Sequence, residues 1–268
     1  MVYRKIGQLS LRKNKGKVAN DCLTQTSNEI ITTVTDLSNI KNAVDSLKFL
    51  QEHEIKKLLA TIWGKYVDSS MKEGILAKDN ENILLKFADY FDLSQEELNI
   101  DNKFTRVSEG IALRYLSEGK CPENIQIDIN SLPFNLKKGE KVVWLFNYVK
   151  YIETKTKVRY EGGSRGMSFR ISKGIYYRTG SYRGNAIKYD VNEEKDIGIL
   201  LITNMHIYFS GSECSFRIPF EKIVSFTPYS DGLGVQRDAK TAKPQSFILL
   251  QNDDSVFLYN LVVNAAKL

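Results

Sequence analysis

The spacing of apolar residues along this chain changes period once, near residue 130. Before that point apolar positions recur three and four residues apart. Ile30, Leu37, Ile40, Val44 and Leu47 make one stripe, Ile55, Leu58, Leu59, Ile62 and Trp63 a second, and Ile83, Leu84, Phe87, Ala88 and Phe91 a third. That period predicts amphipathic helices packed as a bundle. Ser94-Gln95-Glu96-Glu97 reads as a capping box that starts a short helix. Ile111, Leu113, Arg114, Tyr115 and Leu116 predict a last helix that stops at Gly119, with Pro122 beyond.

After residue 130 the period becomes two. The organising stretch is 196–226, where the apolar runs Ile199–Ile202 and Ile207–Phe209 predict two strands. In the next, Cys214, Phe216, Ile218 and Phe220 alternate with Ser215, Arg217 and Pro219, across a turn expected at 210–213. Pro219 cannot donate a ladder hydrogen bond, so that strand ends at a sheet edge or a bulge before Ile223 and Val224 resume. Upstream, Val142, Trp144, Phe146 and Tyr148 alternate with apolar Val143, Leu145 and Val149, which predicts a strand covered on both faces and broken at Glu153–Thr156. Residues 167–180 predict a hairpin. A three-residue loop, Ser172-Lys173-Gly174, sets Ile171 opposite Ile175, Arg170 opposite Tyr176, Phe169 opposite Tyr177 and Ser168 opposite Arg178, and so sorts apolar from cationic positions. Asp231-Gly232 reads as a turn, 236–245 as a polar loop and Phe247–Leu250 as the last strand. Phe257, Leu258, Leu261, Val262 and Ala265 then fall at helical spacing.

The sequence Gly198 before an apolar strand, then Ile202-Thr203-Asn204, then Tyr208-Phe209, a turn and Ile218-Pro219-Phe220-x-x-Ile223, resembles the GRAM-like branch of the pleckstrin-homology superfamily. With LPFNLKKGEKVVW before it and the final helix, the resemblance covers about 132–268. It implies a small bent β-barrel closed by a C-terminal helix and used to bind lipids or proteins. Residues 67–98 resemble the helical domains of tellurite-resistance proteins, and the order of segments resembles bacterial and prophage proteins of that two-domain kind. The expected fold is therefore α+β, an all-α bundle followed by a pleckstrin-homology-like antiparallel barrel. The expected organisation is a basic mobile tail over 1–26, a helical domain over 27–122 and the barrel domain over 130–268.

Charge is distributed unevenly across these parts. Residues 1–17 hold Arg4, Lys5, Arg12, Lys13, Lys15 and Lys17 and no acid, residues 18–133 hold 12 basic and 19 acidic side chains, and residues 134–268 hold 20 and 13. Opposite signs on the two halves serve either mutual docking or outside partners. Within the second half, Lys150, Lys155, Lys157, Arg159, Arg165, Arg170, Lys173, Arg178, Arg183 and Lys188 stand against Glu153 and Glu161, with Tyr160, Tyr176 and Tyr182 between them. Lys155, Lys157 and Arg159 match a K-x-K/R-x-R pattern carried by the early strand loops of lipid-binding pleckstrin-homology domains. Together with Arg170, Tyr176 and Arg178, they form the candidate binding surface.

Catalytic and metal chemistry have no support in the sequence. Cys22, Cys121 and Cys214 are scattered, which argues against a disulfide framework or a zinc site. A calcium loop counted from Asp68 would need acids at Ser70 and Lys72 and has Gly74 one place late. Gly162-Gly163-Ser164-Arg165-Gly166 leads into a strand and lacks the helix start of a phosphate loop. With a turn at 210–213, Ile207 faces Phe216 and His206 faces Arg217. Cys214 then lies on the opposite face from His206, which argues against a Cys-His pair and makes Cys214 a small core residue. Glu193, Glu194 and Asp196 read as an acidic solvated loop. No enzyme and no cofactor is expected. No apolar run reaches the length of a membrane span, so the expectation is a cytoplasmic protein, peripheral to membranes if it binds them.

The expected function is non-catalytic recognition of an anionic phospholipid surface or a protein partner. The alternative is single-stranded nucleic-acid binding through the basic, Tyr-bearing hairpin face. The stripe over 28–50 serves either the chain's own core or self-association.

Overall fold

The computed structural model describes residues 37–45, 50–122, 132–161, 164–172, 175–182, 185–239, 242–251 and 254–268, with the backbone alone between 158 and 186. They fall into two compact units, one helical and one built on a sheet.

In the first unit the predicted stripes become α1 (Leu37–Asp45), α2 (Glu52–Ser70), α3 (Lys78–Tyr90), α4 (Gln95–Leu98) and α5 (Lys103–Ser117). Ile40 and Val44 of α1 join Leu58, Leu59, Ile62, Trp63, Leu84 and Phe87 in one apolar core. The described part of the 28–50 stripe is thus used inside its own unit, and a self-association seam would lack Ile40 and Val44. The remainder of that stripe, 28–36 and 46–49, lies outside the described residues. The capping box forms as expected, with Ser94 Oγ accepting from the Glu97 N–H at 3.2 Å and Glu97 Oε2 accepting from the Ser94 N–H at 2.8 Å.

The stretch tested as a calcium loop is a minimal hairpin, β1 (Met71–Lys72) paired with β2 (Ile75–Leu76). Its turn places Glu73 at φ 52° and Gly74 at φ 78°, left-handed values for both central residues, which explains the glycine without a metal. Asp68 meanwhile accepts from Lys103 Nζ at 2.6 Å and Arg106 at 2.7 Å.

The second unit contains β3 (Val142–Glu161), β4 (Ser164–Ser172), β5 (Ile175–Tyr182), β6 (Asn185–Thr203), β7 (His206–Gly211), β8 (Ser215–Pro219), β9 (Ile223–Tyr229), β10 (Gly232–Arg237), β11 (Gln245–Leu249) and α6 (Ser255–Ala265). Seven strands pair antiparallel in the order β8-β7-β6-β3-β11-β10-β9. The two ends of this order, β8 and β9, are consecutive in sequence and joined only by Phe220–Lys222. Seven strands laid flat would separate their edges by about 29 Å. The span from Pro219 to Ile223 reaches at most about 14 Å. The sheet must therefore curl until its edges approach, and α6 packs on it through Phe257, whose ring meets Trp144 at 4.9 Å and Phe146 at 6.0 Å. The result is the α+β fold expected, helices followed by a bent antiparallel half-barrel with a C-terminal helix.

Two register expectations are corrected. β7 and β8 pair Ile207 with Ile218 and Phe209 with Phe216, so the connection is 211–214 rather than 210–213. The faces survive because the shift is by two. Its cause is Asp196, whose carboxylate accepts from the Glu213 N–H at 2.6 Å, the Cys214 N–H at 2.9 Å and Ser212 Oγ at 3.2 Å, clamping the turn from β6. Cys214 is accordingly half-buried at the turn rather than a core residue. In the hairpin β4–β5, Ser168, Phe169 and Arg170 face Arg178, Tyr177 and Tyr176 as expected, but Ser172 faces Ile175 and Ile171 is bulged.

Gly198 sits where β6 passes β7, and a Cβ there would lie 2.1 Å from the Ser210 carbonyl oxygen. A backbone oxygen cannot swing aside as a side chain does. Gly198→Ala is expected to lower the stability of this unit by at least about 1–3 kcal/mol, measured by chemical unfolding.

Candidate functional site

The long partners β3 and β6 stay paired from Val142↔Thr203 to Glu161↔Asn185. The expected break at Glu153–Thr156 does not occur. Thr154 Oγ1 donates to Asn192 Oδ1 at 3.0 Å and Thr156 Oγ1 to Asp190 Oδ1 at 2.7 Å, so these polar residues bind across the ladder instead of ending it. The third neighbour drops out first. β11 pairs with β3 only up to Glu153, and β7 pairs with β6 only from Gly198 onward. Beyond Glu153 the two strands continue as a ribbon of their own. Eight residues, Thr154 to Glu161, extend it by about 26 Å. The hairpin β4–β5 is inserted at its far end and forms a separate two-stranded sheet.

Charge divides along this ribbon. At its root the acids expected in a solvated loop are strand residues with partners. Glu193 accepts from Lys155 Nζ at 2.6 Å and pairs with Lys195, and Glu194 pairs with Lys150 at 2.8 Å. The Lys155 hydrogen bond, with that of Lys195, holds the Glu193 carboxyl down at about 2. Lys155 is raised in turn, first by its hydrogen bond to Glu193. Of the candidate binding residues, Lys155 is therefore already engaged by an acid.

Farther out the balance reverses. Residues 157–188 carry Lys157, Arg159, Arg165, Arg170, Lys173, Arg178, Arg183 and Lys188 against Glu161 alone, with Asp190 just behind. Among the described residues, Lys157 and Lys188 are exposed and form no ion pair. At physiological ionic strength the screening length is about 8 Å, so acids at the root offset little of the charge beyond the first few residues.

The register also separates the cations from one another. Lys157 faces Tyr189, Arg159 faces Ile187 and Lys188 faces Val158, while in the hairpin Arg170 faces Tyr176 and Arg178 faces Ser168. No cation stands directly opposite a cation in these pairs, the arrangement that would destabilise a ribbon. Lys155, Lys157 and Arg159 occupy alternate positions of β3 and so one face of the ribbon, not a loop. Arg170, Tyr176 and Arg178 share one side of the hairpin by register. Nothing brings these two trios into one cluster, and the side chains of Arg159, Arg170, Tyr176 and Arg178 lie outside the description. Sequence reasoning missed Ile187 and Tyr189, which stand opposite Arg159 and Lys157 and are 45% and 44% exposed. Only the β3–β6 register places them there.

A second polar cluster is structural. Glu140, its side chain wholly buried, accepts from Thr203 Oγ1 at 2.6 Å, Tyr208 Oη at 2.8 Å, the Lys137 N–H at 2.8 Å and His206 Nδ1 at 2.8 Å. Burial opposes its charge, but these four hydrogen bonds outweigh it and hold the carboxyl below its ordinary range. Tyr208 is pushed up to about 12 by burial and by the carboxylate it donates to. His206, whose face had been argued away from Cys214, is thus committed to Glu140 and fixed with its proton on Nδ1.

No described helix is long and apolar enough to cross a membrane. No family model matches this chain, and no curated protein does. Among solved structures it is similar to the PDZ-RhoGEF DH/PH domains in complex with GTP-γ-S-activated RhoA, at 11% identity and a TM-score of 0.26 over 94% of this chain and 68% of that one. It is also similar to human RhoA in complex with a DH/PH fragment of PDZRHOGEF, at 10% identity and 0.23 over 96% and 69%. Superpositions this loose bear on neither fold nor function, so the candidate site rests on strand register and charge alone.

Proposed function

We propose that this chain is a non-catalytic binding module whose ribbon, β3–β6 with the inserted hairpin, attaches it to an anionic phospholipid surface. The observation that carries the reading is the division of charge along the ribbon. Lys150 and Lys155 at the root have acid partners within 3 Å, while Lys157 and Lys188 beyond it are exposed and form no ion pair among the described residues. Near an anionic membrane each such Lys or Arg contributes roughly 1 kcal/mol. Lys157, Arg159, Arg170 and Arg178 together supply about 4 kcal/mol, enough for reversible attachment. A protein partner and a single-stranded nucleic acid are the competing ligands, and both are separable by experiment.

The test is partition of the full chain between buffer and vesicles of phosphatidylcholine with or without phosphatidylserine. Binding only to the anionic vesicles is expected, and falling with salt. Equal indifference to both kinds of vesicle would overturn the proposal, as would tighter, Tyr176-dependent binding to an oligonucleotide. A root substitution adds a result that simple net charge does not single out. Glu193→Gln releases Lys155 and Lys195 and is expected to tighten vesicle binding about three- to tenfold, whereas Glu221→Gln, the same charge change in the Phe220–Lys222 connection away from the ribbon, is expected to do less.

A further inference from the structure

By register Lys157 and Arg159 share their face of the ribbon with two half-exposed apolar residues, Ile187 and Tyr189. Ile187 and Tyr189 are adjacent alternate positions of β6, each about half-exposed, on strands that no third strand covers there. Directly across the ladder stand Arg159 and Lys157. Isoleucine and tyrosine favour a strand, but so does threonine, which a charged, solvated arm uses at 154 and 156 without exposing a large apolar side chain. Beside the root the other face is polar, where Thr154 and Thr156 bind Asn192 and Asp190.

Resting on the membrane reading above, we infer that Ile187 and Tyr189 form a wedge that enters the interfacial layer of an anionic bilayer while Lys157 and Arg159 hold the phosphates beside it. The chemistry of the four residues fits that layer. An aliphatic side chain gains by leaving water for the acyl boundary. Tyrosine favours the headgroup level, where its ring is apolar and its hydroxyl wet. Lysine and arginine extend their heads to phosphate while their stems stay on the apolar side. Charge complementarity selects this occupant over a neutral protein groove. A nucleic acid also offers phosphates, and a base can stack on Tyr189, but it has no place for Ile187.

The wedge makes attachment partly independent of salt, and that property tests it. Lys and Arg contacts, including those of the six-cation tail, weaken as salt rises, whereas burial of Ile187 and Tyr189 does not. For the full chain and vesicles rich in phosphatidylserine, the expected partition retains a plateau at about 0.5 M salt, where the Debye length is only about 4 Å. Ile187→Ser/Tyr189→Ser lowers that plateau about ten- to thirtyfold and leaves low-salt binding largely in place, while Ile187→Leu/Tyr189→Phe restores it. Because both residues are exposed, the unfolding midpoint of the double serine variant stays at the wild-type value, which separates lost insertion from lost folding. In Ile187→Trp the indole emission shifts to the blue on vesicles and is quenched by lipids brominated along the acyl chain. Equal partition of the wild type and the double serine variant at every salt concentration, or Trp emission unchanged by vesicles, overturns the wedge alone. Failure of the wild-type chain to bind anionic vesicles at low salt overturns the membrane reading itself.

Discussion

Replacing Glu140 by alanine is expected to lower the unfolding free energy of the sheet unit by about 3–5 kcal/mol. The residue looks dispensable in sequence, a glutamate in the polar run Lys137-Lys138-Gly139-Glu140-Lys141, yet its carboxylate gathers donors from three places in the fold. Thr203 ends β6, His206 and Tyr208 lie in β7, and the Lys137 N–H belongs to the segment that leads into β3. Alanine leaves His206 Nδ1 and Tyr208 Oη facing a void, whereas Thr203 Oγ1 keeps the His206 carbonyl at 3.1 Å and the Lys137 N–H is exposed to water; each buried donor without a partner costs about 1–3 kcal/mol. By contrast Tyr208→Phe removes one donor and one bond together and is expected to cost about 1 kcal/mol. The alanine change corresponds to a fall in Tm of roughly 10–20 °C for a unit of this size, measured by calorimetry.

The same network sets a pH dependence. Glu140 is held below its unfolded value, so its contribution is fully present above the ordinary glutamate range and is lost as pH falls through the depressed folded value. Glu140→Gln is therefore expected to flatten the acid limb of the stability curve while lowering its plateau. An unaltered acid limb would mean that the carboxylate is not ionised in the fold.

Reversing four charges on the ribbon, Lys157→Glu, Arg159→Glu, Arg170→Glu and Arg178→Glu, is the change with the largest expected effect on function. Loss of four attractions of roughly 1 kcal/mol each weakens vesicle binding about a thousandfold, before any repulsion from the new carboxylates. Folding is expected to survive. The described Lys157 is exposed without an ion pair, and none of the four pairs with a strand of the seven-stranded sheet other than β3 and β6. Far-ultraviolet circular dichroism and an unchanged unfolding midpoint verify that point alongside the binding assay.

Much of this architecture was legible in residue spacing because burial enforces it. The stripes of α2 and α3, the Ser94 box and the alternation of β8 each express one local rule, and the core obeys it. The face of every residue in β7 and β8 was also legible, since a shift of two leaves inside and outside unchanged. The turn position was not, because it depends on Asp196, a residue of β6 that only tertiary structure brings against Glu213 and Cys214. The continuity of β3 past Glu153 failed for a similar reason. Glu-Thr-Lys-Thr carries no apolar alternation, and what keeps it a strand is a set of partners on β6 nearly forty residues away.

The candidate site was legible as composition and misread as place. The basic run was visible, but Lys155 looked equivalent to Lys157 until Glu193 was seen against it. The acids at 193–196 looked solvated because their partners are cross-strand. Ile187 and Tyr189 were invisible as site residues, since an apolar residue inside a strand normally points to a core and here neither β11 nor β7 pairs as far as these positions.

The most direct measurement is sedimentation of the fourfold ribbon variant with phosphatidylserine vesicles in a chain lacking residues 1–26, so that the six cations of the tail do not stand in for the ribbon. The tail-less chain with a wild-type ribbon is expected to sediment with the vesicles, and the tail-less fourfold variant to remain in the supernatant with an unchanged unfolding midpoint. Equal sedimentation of the two folded proteins would contradict the assignment of the ribbon as the anionic-surface site.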